Sequence, residues 1–154
     1  KQNLEWKNMD NEFLVFARPH LQTFVTWLFK NFNVIVWTAA SPSYATYVID
    51  KFITHDAKRD LQFFLYSKHC SVSYKEYNTQ KKLEMLKKYR KTIAIDDTII
   101  IDDNKEVYTS QPYNCIHIKP FDVDDVSCVY DKELIKVQRK LEAIRLSRLL
   151  KDTK

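Results

Sequence analysis

Residues 98–104 read Thr98-Ile99-Ile100-Ile101-Asp102-Asp103-Asn104, an apolar, β-branched run that ends abruptly in two adjacent carboxylates. Such a run predicts a buried parallel strand, and open α/β sheets bind their ligands beyond the carboxyl ends of such strands. Val34-Ile35-Val36-Trp37-Thr38 repeats this layout with a hydroxyl at its end. The two segments therefore predict strands that bring polar side chains to one place.

Strands and helices are expected to alternate along the rest of the chain. Apolar runs predict strands at 13–16, 34–37, 63–66, 98–101 and 115–118. Helical spacing predicts a helix with Pro19 as an early residue, one opening at Ser41-Pro42, a basic one from Asn78-Thr79 to Tyr89, and a terminal one from Asp131 to Leu150. This order implies right-handed crossovers, so we expect an α/β fold: a three-layer α/β/α sandwich with a mostly parallel central sheet.

Composition indicates one globular domain. The chain has 154 residues, of which 45% are hydrophobic and 29% charged, and this excludes a disordered protein. We expect residues 1–154 to form a single domain, with 131–151 as a basic terminal helix. Glycine is absent, so Asn, Asp and Pro must form the turns. The abundance of Lys, Asn, Ile, Phe and Tyr favours an AT-rich genome, such as that of a virus or protist.

Charge limits the classes of partner. The net charge of +5 suits nucleic acid, an anionic membrane or a phosphorylated partner, and it equally suits a solvated basic surface with no such partner. Nucleic acid is the weakest of these hypotheses, because no recognition motif is present. The longest apolar stretch, 13–32, is interrupted by Arg18-Pro19-His20, so no membrane span is expected.

The number and spacing of the cysteines indicate the redox state of the protein's compartment. Cys70, Cys115 and Cys128 are odd in number and widely spaced, which fits neither a disulfide framework nor a zinc site. We therefore expect an intracellular, reducing compartment, either nucleus or cytoplasm.

Four side chains are candidates for chemistry on a phosphate. Asp102 and Asp103 offer the hard oxygen ligands that Mg²⁺ prefers, although Asp-Asp-Asn is also typical of a turn. Thr38 adds a hydroxyl, and Lys81 adds a cation. Asp96-Asp97 imitates the second acidic pair, and we interpret it as a turn before the strand.

Three segments resemble the HAD-superfamily phosphatases of the RNA polymerase II C-terminal-domain (CTD) type, the NLI-interacting-factor-like family. Residues 17–24, from Ala17-Arg18-Pro19-His20 to Phe24, resemble the family's Arg-Pro-x-x-x-x-Phe segment. Residues 37–45 resemble its Phe-Thr-Ala-Ser…Tyr-Ala segment. Residues 101–114, with Asp102-Asp103, Tyr108, Pro112 and Asn114, resemble its Asp-Asp/Asn…Tyr/Trp…Pro-x-Asn segment. The resemblance implies a HAD-like fold and a Mg²⁺-dependent protein phosphatase.

The resemblance also implies roles for single residues. Thr38 would hydrogen-bond the transferring phosphoryl group, and Lys81, whose competitor is Lys75, would stabilise its charge. Asp103 would be the direct Mg²⁺ ligand with Asp102 beside it. Tyr44 and Lys68 are the candidate substrate-binding residues. His69-Cys70 resembles the end of the family's Arg-x-x-Cys element, but Ser67 holds the position of the arginine.

One departure concerns the nucleophile. Family phosphatases attack with the first aspartate of Asp-x-Asp on their first strand, and the second aspartate acts as general acid and base. The first predicted strand here carries no such motif, so we expect the nucleophile strand to precede Lys1. The alternative is a catalytically inactive scaffold within a larger protein assembly. The expected substrate is a flexible phosphorylated protein tail, for which the polymerase CTD is the family's precedent.

Overall fold

The computed structural model describes residues 4–72 and 79–152, which contain short strands and four α-helices. The strands are Trp6–Met9 (β1), Phe13–Phe16 (β2), Ile35–Trp37 (β3), Phe63–Leu65 (β4), Ser71–Val72 (β5), Thr79–Gln80 (β6), Ile100–Asp102 (β7) and Cys115–His117 (β8). The helices are Leu21–Asn31 (α1), Pro42–Val48 (α2), Lys105–Ser110 (α3) and Glu133–Asp152 (α4), and α2 continues as a π-helical turn over Ile49–Ile53.

The strands pair two by two. β3 and β4 are parallel, as are β7 and β8, whereas β1–β2 and β5–β6 are antiparallel. The mixed helix and strand content with small parallel sheets is compatible with the expected α/β class. The three-layer sandwich is not confirmed, because the described strands do not join into one central sheet.

The chain divides into two compact units. One consists of Lys1–Phe32, Val48–Asp60 and Phe121–Lys154, and the other of Asn33–Tyr47 and Leu61–Pro120. Both parallel strand pairs belong to the second unit, as do the candidate site residues. The assignment of the whole chain to one domain stays a prediction.

The first unit begins with a β-hairpin, of which the sequence analysis predicted one strand. β2 was predicted, but its antiparallel partner β1 was not. The turn between them places Asp10 and Asn11 at φ 50° and 60°, the left-handed region that short polar side chains tolerate. These residues therefore take the place of glycine in a chain that has none.

Two helices of the first unit pack together, α1 with α4. Phe24 and Val25 of α1 are buried, and so are Leu134, Val137 and Leu141 of α4. Helix α1 begins at Leu21, so the prediction that Pro19 is helical was wrong. His20 precedes the helix with φ 67°, which ends any helical path from Pro19.

Arg18 links the start of α1 to the start of α4. Its Nε and Nη2 donate to the two carboxylate oxygens of Asp131 at 2.9 and 2.8 Å. Asp131 Oδ1 also accepts from the backbone N–H of Glu133 at 2.9 Å, at the beginning of α4. The ion pair therefore joins the segment that precedes α1 to the first turn of α4.

The second unit is built on a leucine cluster. Leu65, Leu83 and Leu86 are at most 3% exposed. Six partly buried apolar side chains pack against them: Ile35, Trp37, Phe63, Ile93, Ile95 and Ile100. Strands β3, β4 and β7 thus contribute side chains to one core.

The predicted basic α-helix from Asn78-Thr79 to Tyr89 was wrong. Thr79 lies in β6, and a 3₁₀ helix covers Leu83–Lys88, while Asn78 lies outside the described residues. Because a 3₁₀ helix has three residues per turn, Leu83 and Leu86 lie on the same face and both reach the core. The backbone at Lys82 is extended, so no α-helix continues back from them.

Candidate active site

The carboxyl end of β7 holds a buried ion pair. Asp102 is the last residue of the strand, and its side chain is only 4% exposed. Lys81 Nζ donates to Asp102 Oδ2 at 2.7 Å, and Asp102 Oδ1 accepts from the backbone N–H of Asn104 at 2.8 Å. The structure thus brings together two of the predicted site residues. Since an ammonium group has three N–H donors, Lys81 keeps donor capacity for a further oxygen atom.

Asp103, the next residue, differs from Asp102 in being exposed. Within the described ranges its carboxylate makes no hydrogen bond or ion pair, so its oxygens face solvent. Its backbone carbonyl lies 3.0 Å from His117 Nε2 at the end of β8. Asp102 is therefore paired with Lys81, whereas the carboxylate of Asp103 is exposed to solvent.

The two aspartates can be tested for their fit to Mg²⁺. Over residues 4–72 and 79–152, no group of three or more His, Cys, Asp or Glu side chains could hold a metal ion. Mg²⁺, however, is usually bound by one or two carboxylates, and its other ligands are water and substrate phosphate oxygens. Asp103 has the chemistry of such a direct ligand, and the oxygens of Asp102 are already hydrogen-bonded.

Thr38 follows β3 directly, as predicted. Its N–H donates to Leu65 O at 2.9 Å, which extends the pairing of β3 with β4 by one residue. Its Oγ1 accepts from Ala40 N–H at 3.1 Å, and this leaves the hydroxyl proton available to a ligand. Cys70 Sγ donates to Thr38 O at 3.6 Å, so the thiol holds the backbone of the same loop.

Gln111, which binds the backbone next to Lys81, was not singled out from the sequence. Its Nε2 donates to Lys81 O at 2.7 Å, and its Oε1 accepts from Leu83 N–H at 3.1 Å. Gln111 lies thirty positions beyond Lys81, directly after α3. Its place directly before Pro112, the first residue of the Pro-x-Asn element, was the one signal available in the sequence.

Asn114 has a structural role in that element. Its Nδ2 donates to Ile95 O and to Thr98 O, both at 3.0 Å. These bonds hold the 3₁₀ turn Ile95–Asp97, which precedes β7. Asp96-Asp97 therefore lies in the turn that the sequence predicted.

Comparison with known proteins identifies the family of this chain. A family model for NLI interacting factor-like phosphatases matches residues 1–153. The chain belongs to this family. Its resemblance to CTD-type phosphatases is therefore confirmed, and the related enzymes are protein phosphatases.

Several relatives carry CTD phosphatase names. The CTD phosphatase-like protein 355R of Invertebrate iridescent virus 6 is 43% identical over 142 residues, which cover 88% of this chain and 78% of that protein. The CTD small phosphatase-like protein 3 of Caenorhabditis elegans is 30% identical and covers 90% of this chain, but only 44% of the worm protein is matched. The CTD nuclear envelope phosphatase 1 homolog of Drosophila melanogaster is 27% identical over 88% of this chain and 50% of its own length.

The remaining predicted residues of this NLI interacting factor-like chain lie as follows. Tyr44 is half-buried in α2, and Lys68 is exposed on the 3₁₀ turn Ser67–His69, which follows β4. Lys75 lies outside the described residues. The role of Tyr44 and Lys68 in binding substrate stays a prediction.

An Asp-x-Asp sequence, as in the family's nucleophile motif, does occur late in this chain, although the sequence analysis did not identify it. Residues 122–126 read Asp-Val-Asp-Asp-Val, but they follow no strand. Asp122 Oδ1 accepts from Asp124 N–H at 2.8 Å, and Asp125 Oδ1 accepts from Ser127 N–H at 2.8 Å. These aspartates cap local turns, so they do not substitute for a motif at the end of a strand.

Cys115 of β8 lies in the electrostatic field of the ion pair. Burial, and after it the negative charge of Asp102, raise the pKa of its thiol to about 11, although a hydrogen bond to the backbone of Asp102 and the charge of Lys81 act in the opposite direction. All three cysteines are free. In the described part of the chain, no helix combines the length and the apolar character that crossing a membrane requires.

Proposed function

We propose that the protein is a Mg²⁺-dependent phosphoserine/phosphothreonine protein phosphatase of the CTD phosphatase-like type. The observation that carries this proposal is the buried Lys81–Asp102 pair at the end of β7, with the exposed carboxylate of Asp103 next to it. A cation with spare donors and an uncommitted carboxylate are what the phosphoryl group and its metal ion require.

Each residue then has a defined task. Lys81 donates to an oxygen of the phosphoryl group, and Asp102 keeps the ammonium group in place. Thr38 donates its hydroxyl proton to a second phosphoryl oxygen. Asp103 would hold Mg²⁺, with Asp102 next to it, and the ion would neutralise negative charge on the phosphoryl oxygens.

The covalent step requires an aspartate nucleophile. Its carboxylate would attack phosphorus, the bond from phosphorus to the seryl or threonyl oxygen would break, and a second aspartate would protonate that leaving oxygen. Water would then hydrolyse the aspartyl-phosphate. We propose that an Asp-x-Asp segment preceding Lys1 supplies both carboxylates.

The proposed substrate is a flexible phosphorylated protein tail. A chain with a net charge of +5 attracts such an anionic segment, and the names of the relatives refer to CTD phosphatases. Tyr44 and Lys68 are proposed to contact the peptide. We place the protein in a reducing compartment, the nucleus or the cytoplasm, where its cysteines stay free.

Hydrolysis of p-nitrophenyl phosphate by the full-length protein tests the proposal. We expect hydrolysis that requires Mg²⁺ and that falls at least about 100-fold in Asp103→Asn, with a smaller loss in Thr38→Ala. Asp97→Asn is the matched control, because Asp97 is an exposed acid of the same unit that lies outside the site. Rates in Asp103→Asn and Thr38→Ala equal to that of Asp97→Asn would refute the assignment of the site.

A catalytically inactive scaffold is the second candidate, and the absence of Asp-x-Asp from the end of any described strand favours it. Beryllofluoride distinguishes the two candidates, because it mimics an acyl phosphate on an aspartate. Inhibition of Mg²⁺-dependent hydrolysis supports the enzyme. A full-length protein that hydrolyses nothing and whose thermal unfolding beryllofluoride does not shift is a scaffold.

A further inference from the structure

The backbone that carries Lys81 belongs to no helix or strand. Residues 81 and 82 lie between β6 and the 3₁₀ helix Leu83–Lys88. Lys82 O accepts the first hydrogen bond of that helix, from Met85 N–H at 2.9 Å, but Lys81 O and Leu83 N–H lie outside its hydrogen bonds. Backbone polar groups in such a segment need other partners. For Lys81 O and Leu83 N–H, both partners are the side-chain amide of Gln111, at 2.7 and 3.1 Å.

The amide binds on either side of Lys82, as a paired strand would. Its N–H donates to the carbonyl that precedes Lys82, and its oxygen accepts from the N–H that follows. One planar group thus fixes both the position and the direction of the segment. Lys81 leaves this segment to reach Asp102, with Nζ at 2.7 Å from Oδ2.

Gln111 is itself held firmly. Its N–H donates to Tyr108 O at 3.2 Å, and its carbonyl accepts from Asn114 N–H at 3.0 Å. Helix α3 is anchored by Val107, which is 1% exposed. The backbone of Gln111 is therefore held by hydrogen bonds on both sides. Its side-chain amide is a well-supported partner for the segment at Lys81 and Lys82, which belongs to no helix or strand.

We propose that Gln111 is the positioning residue for Lys81, and that it acts on phosphoryl transfer only through that lysine. The inference rests on the proposed function. A lysine side chain has four rotatable bonds, so a shift at its Cα carries the ammonium group away from the phosphoryl oxygen or costs entropy to correct. Misplacement of a catalytic group by about 1 Å lowers rates by up to about 100-fold.

The test is a double-mutant cycle between Gln111 and Lys81 in the full-length protein, with p-nitrophenyl phosphate as substrate. Gln111→Met keeps the side-chain volume and removes both hydrogen bonds. We expect kcat to fall about tenfold with KM changed less than twofold. Gln62→Met is the matched control, since Gln62 is another amide of this unit, which accepts from Arg90, and it should leave kcat unchanged.

The Lys81→Ala background provides the decisive measurement. If Gln111 acts through Lys81, then Gln111→Met lowers kcat no further once the ammonium group is gone. An equal, additive tenfold loss in that background would overturn the inference and indicate general damage to the fold. If Lys81→Ala alone leaves kcat unchanged, the proposed function of Lys81 fails instead.

A second variant addresses the case in which Gln111→Met does not fold. Gln111→Glu keeps an acceptor for Leu83 N–H but turns a carboxylate oxygen towards Lys81 O, where a donor is needed. We expect the same tenfold loss of kcat from a protein with a cooperative thermal transition. A Gln111→Glu enzyme as fast as the unmutated protein would contradict the proposal.

Discussion

Two ion pairs of similar burial differ in their hydrogen-bond geometry. Arg18–Asp131 in the first unit has side chains 12% and 13% exposed, and Lys81–Asp102 in the second unit has side chains 14% and 4% exposed. Arg18 uses two donors on two carboxylate oxygens, and Asp131 also accepts from Glu133 N–H at the start of α4. Among the residues that the structure describes, the ammonium group of Lys81 makes a single hydrogen bond and keeps donors for another oxygen.

We propose that this difference separates a structural pair from a reactive one. The planar guanidinium group of Arg18 lies over the ring of Phe121, with its carbon 5.4 Å from the ring centroid, so packing and bidentate geometry hold it. Lys81 is a compact charge next to an exposed carboxylate, Asp103. Under the proposed function, the same type of interaction therefore stabilises the fold in one unit and prepares a binding site in the other.

The largest expected effect is on activity, at the reactive pair. Lys81→Ala should lower kcat/KM for p-nitrophenyl phosphate about 100- to 1,000-fold, since it removes the cation that meets the phosphoryl charge. Arg18→Ala should leave the activity per folded molecule within about twofold. Steady-state kinetics, normalised to the folded fraction from circular dichroism, make the comparison. Equal losses of kcat/KM in the two variants would contradict the distinction between a structural and a reactive ion pair.

A double variant sharpens the same contrast. Lys81→Ala leaves the Asp102 carboxylate buried and unpaired, which destabilises the protein. Lys81→Met with Asp102→Asn removes both charges, so we expect urea denaturation to recover most of the lost stability while activity stays absent. Recovery of activity together with stability would mean that the pair is structural.

The next effect is on stability, at the structural pair. Arg18→Ala leaves the largely buried carboxylate of Asp131 without its cationic partner. We expect the free energy of unfolding to fall by roughly 3 kcal/mol. Urea denaturation measures it. Lys136→Ala is the control, because Lys136 pairs with Glu133 from an exposed position and should cost less than about 1 kcal/mol. A loss no larger than the control's would show that Arg18–Asp131 does not hold α4.

The smallest effect depends on pH. The pKa of the Cys115 thiol is raised from its ordinary value of 9.0 to about 11 in the folded protein, so folding favours the neutral thiol. The resulting stabilisation is complete below pH 9 and is lost as the pH rises from 9 to 11, by roughly 2 to 3 kcal/mol. Urea denaturation of the unmutated protein and of Cys115→Ala at each pH isolates this contribution. Parallel curves for the two proteins would contradict it.

The sequence predicted the parts of the second unit that rest on local pattern. Apolar runs located β3, β4, β7 and β8, and the positions of Thr38 and Asp102-Asp103 at strand ends followed from them. The resemblance to the family pointed to Lys81, which the structure places 2.7 Å from Asp102. A continuous apolar run sufficed here because consecutive residues of these strands, on both faces, are buried or partly buried.

The rest depends on contacts that local pattern does not encode. The helix predicted from Asn78-Thr79 failed because the leucine spacing also suits a 3₁₀ turn, and because Gln111 binds the extended backbone at Lys82 from thirty positions away. β1 was missed because Lys7 and Asn8 interrupt its apolar pattern. His117, whose ring nitrogen meets the carbonyl of Asp103, is equally invisible until β7 and β8 pair.

A crystal structure of the full-length protein with Mg²⁺ and phosphate tests the central claim most directly. We predict a carboxylate oxygen of Asp103 at about 2.1 Å from Mg²⁺, and Lys81 Nζ and Thr38 Oγ1 both within hydrogen-bonding distance of phosphate oxygens. Phosphate bound away from Lys81, or Thr38 and Asp103 on opposite sides of the molecule, would contradict it.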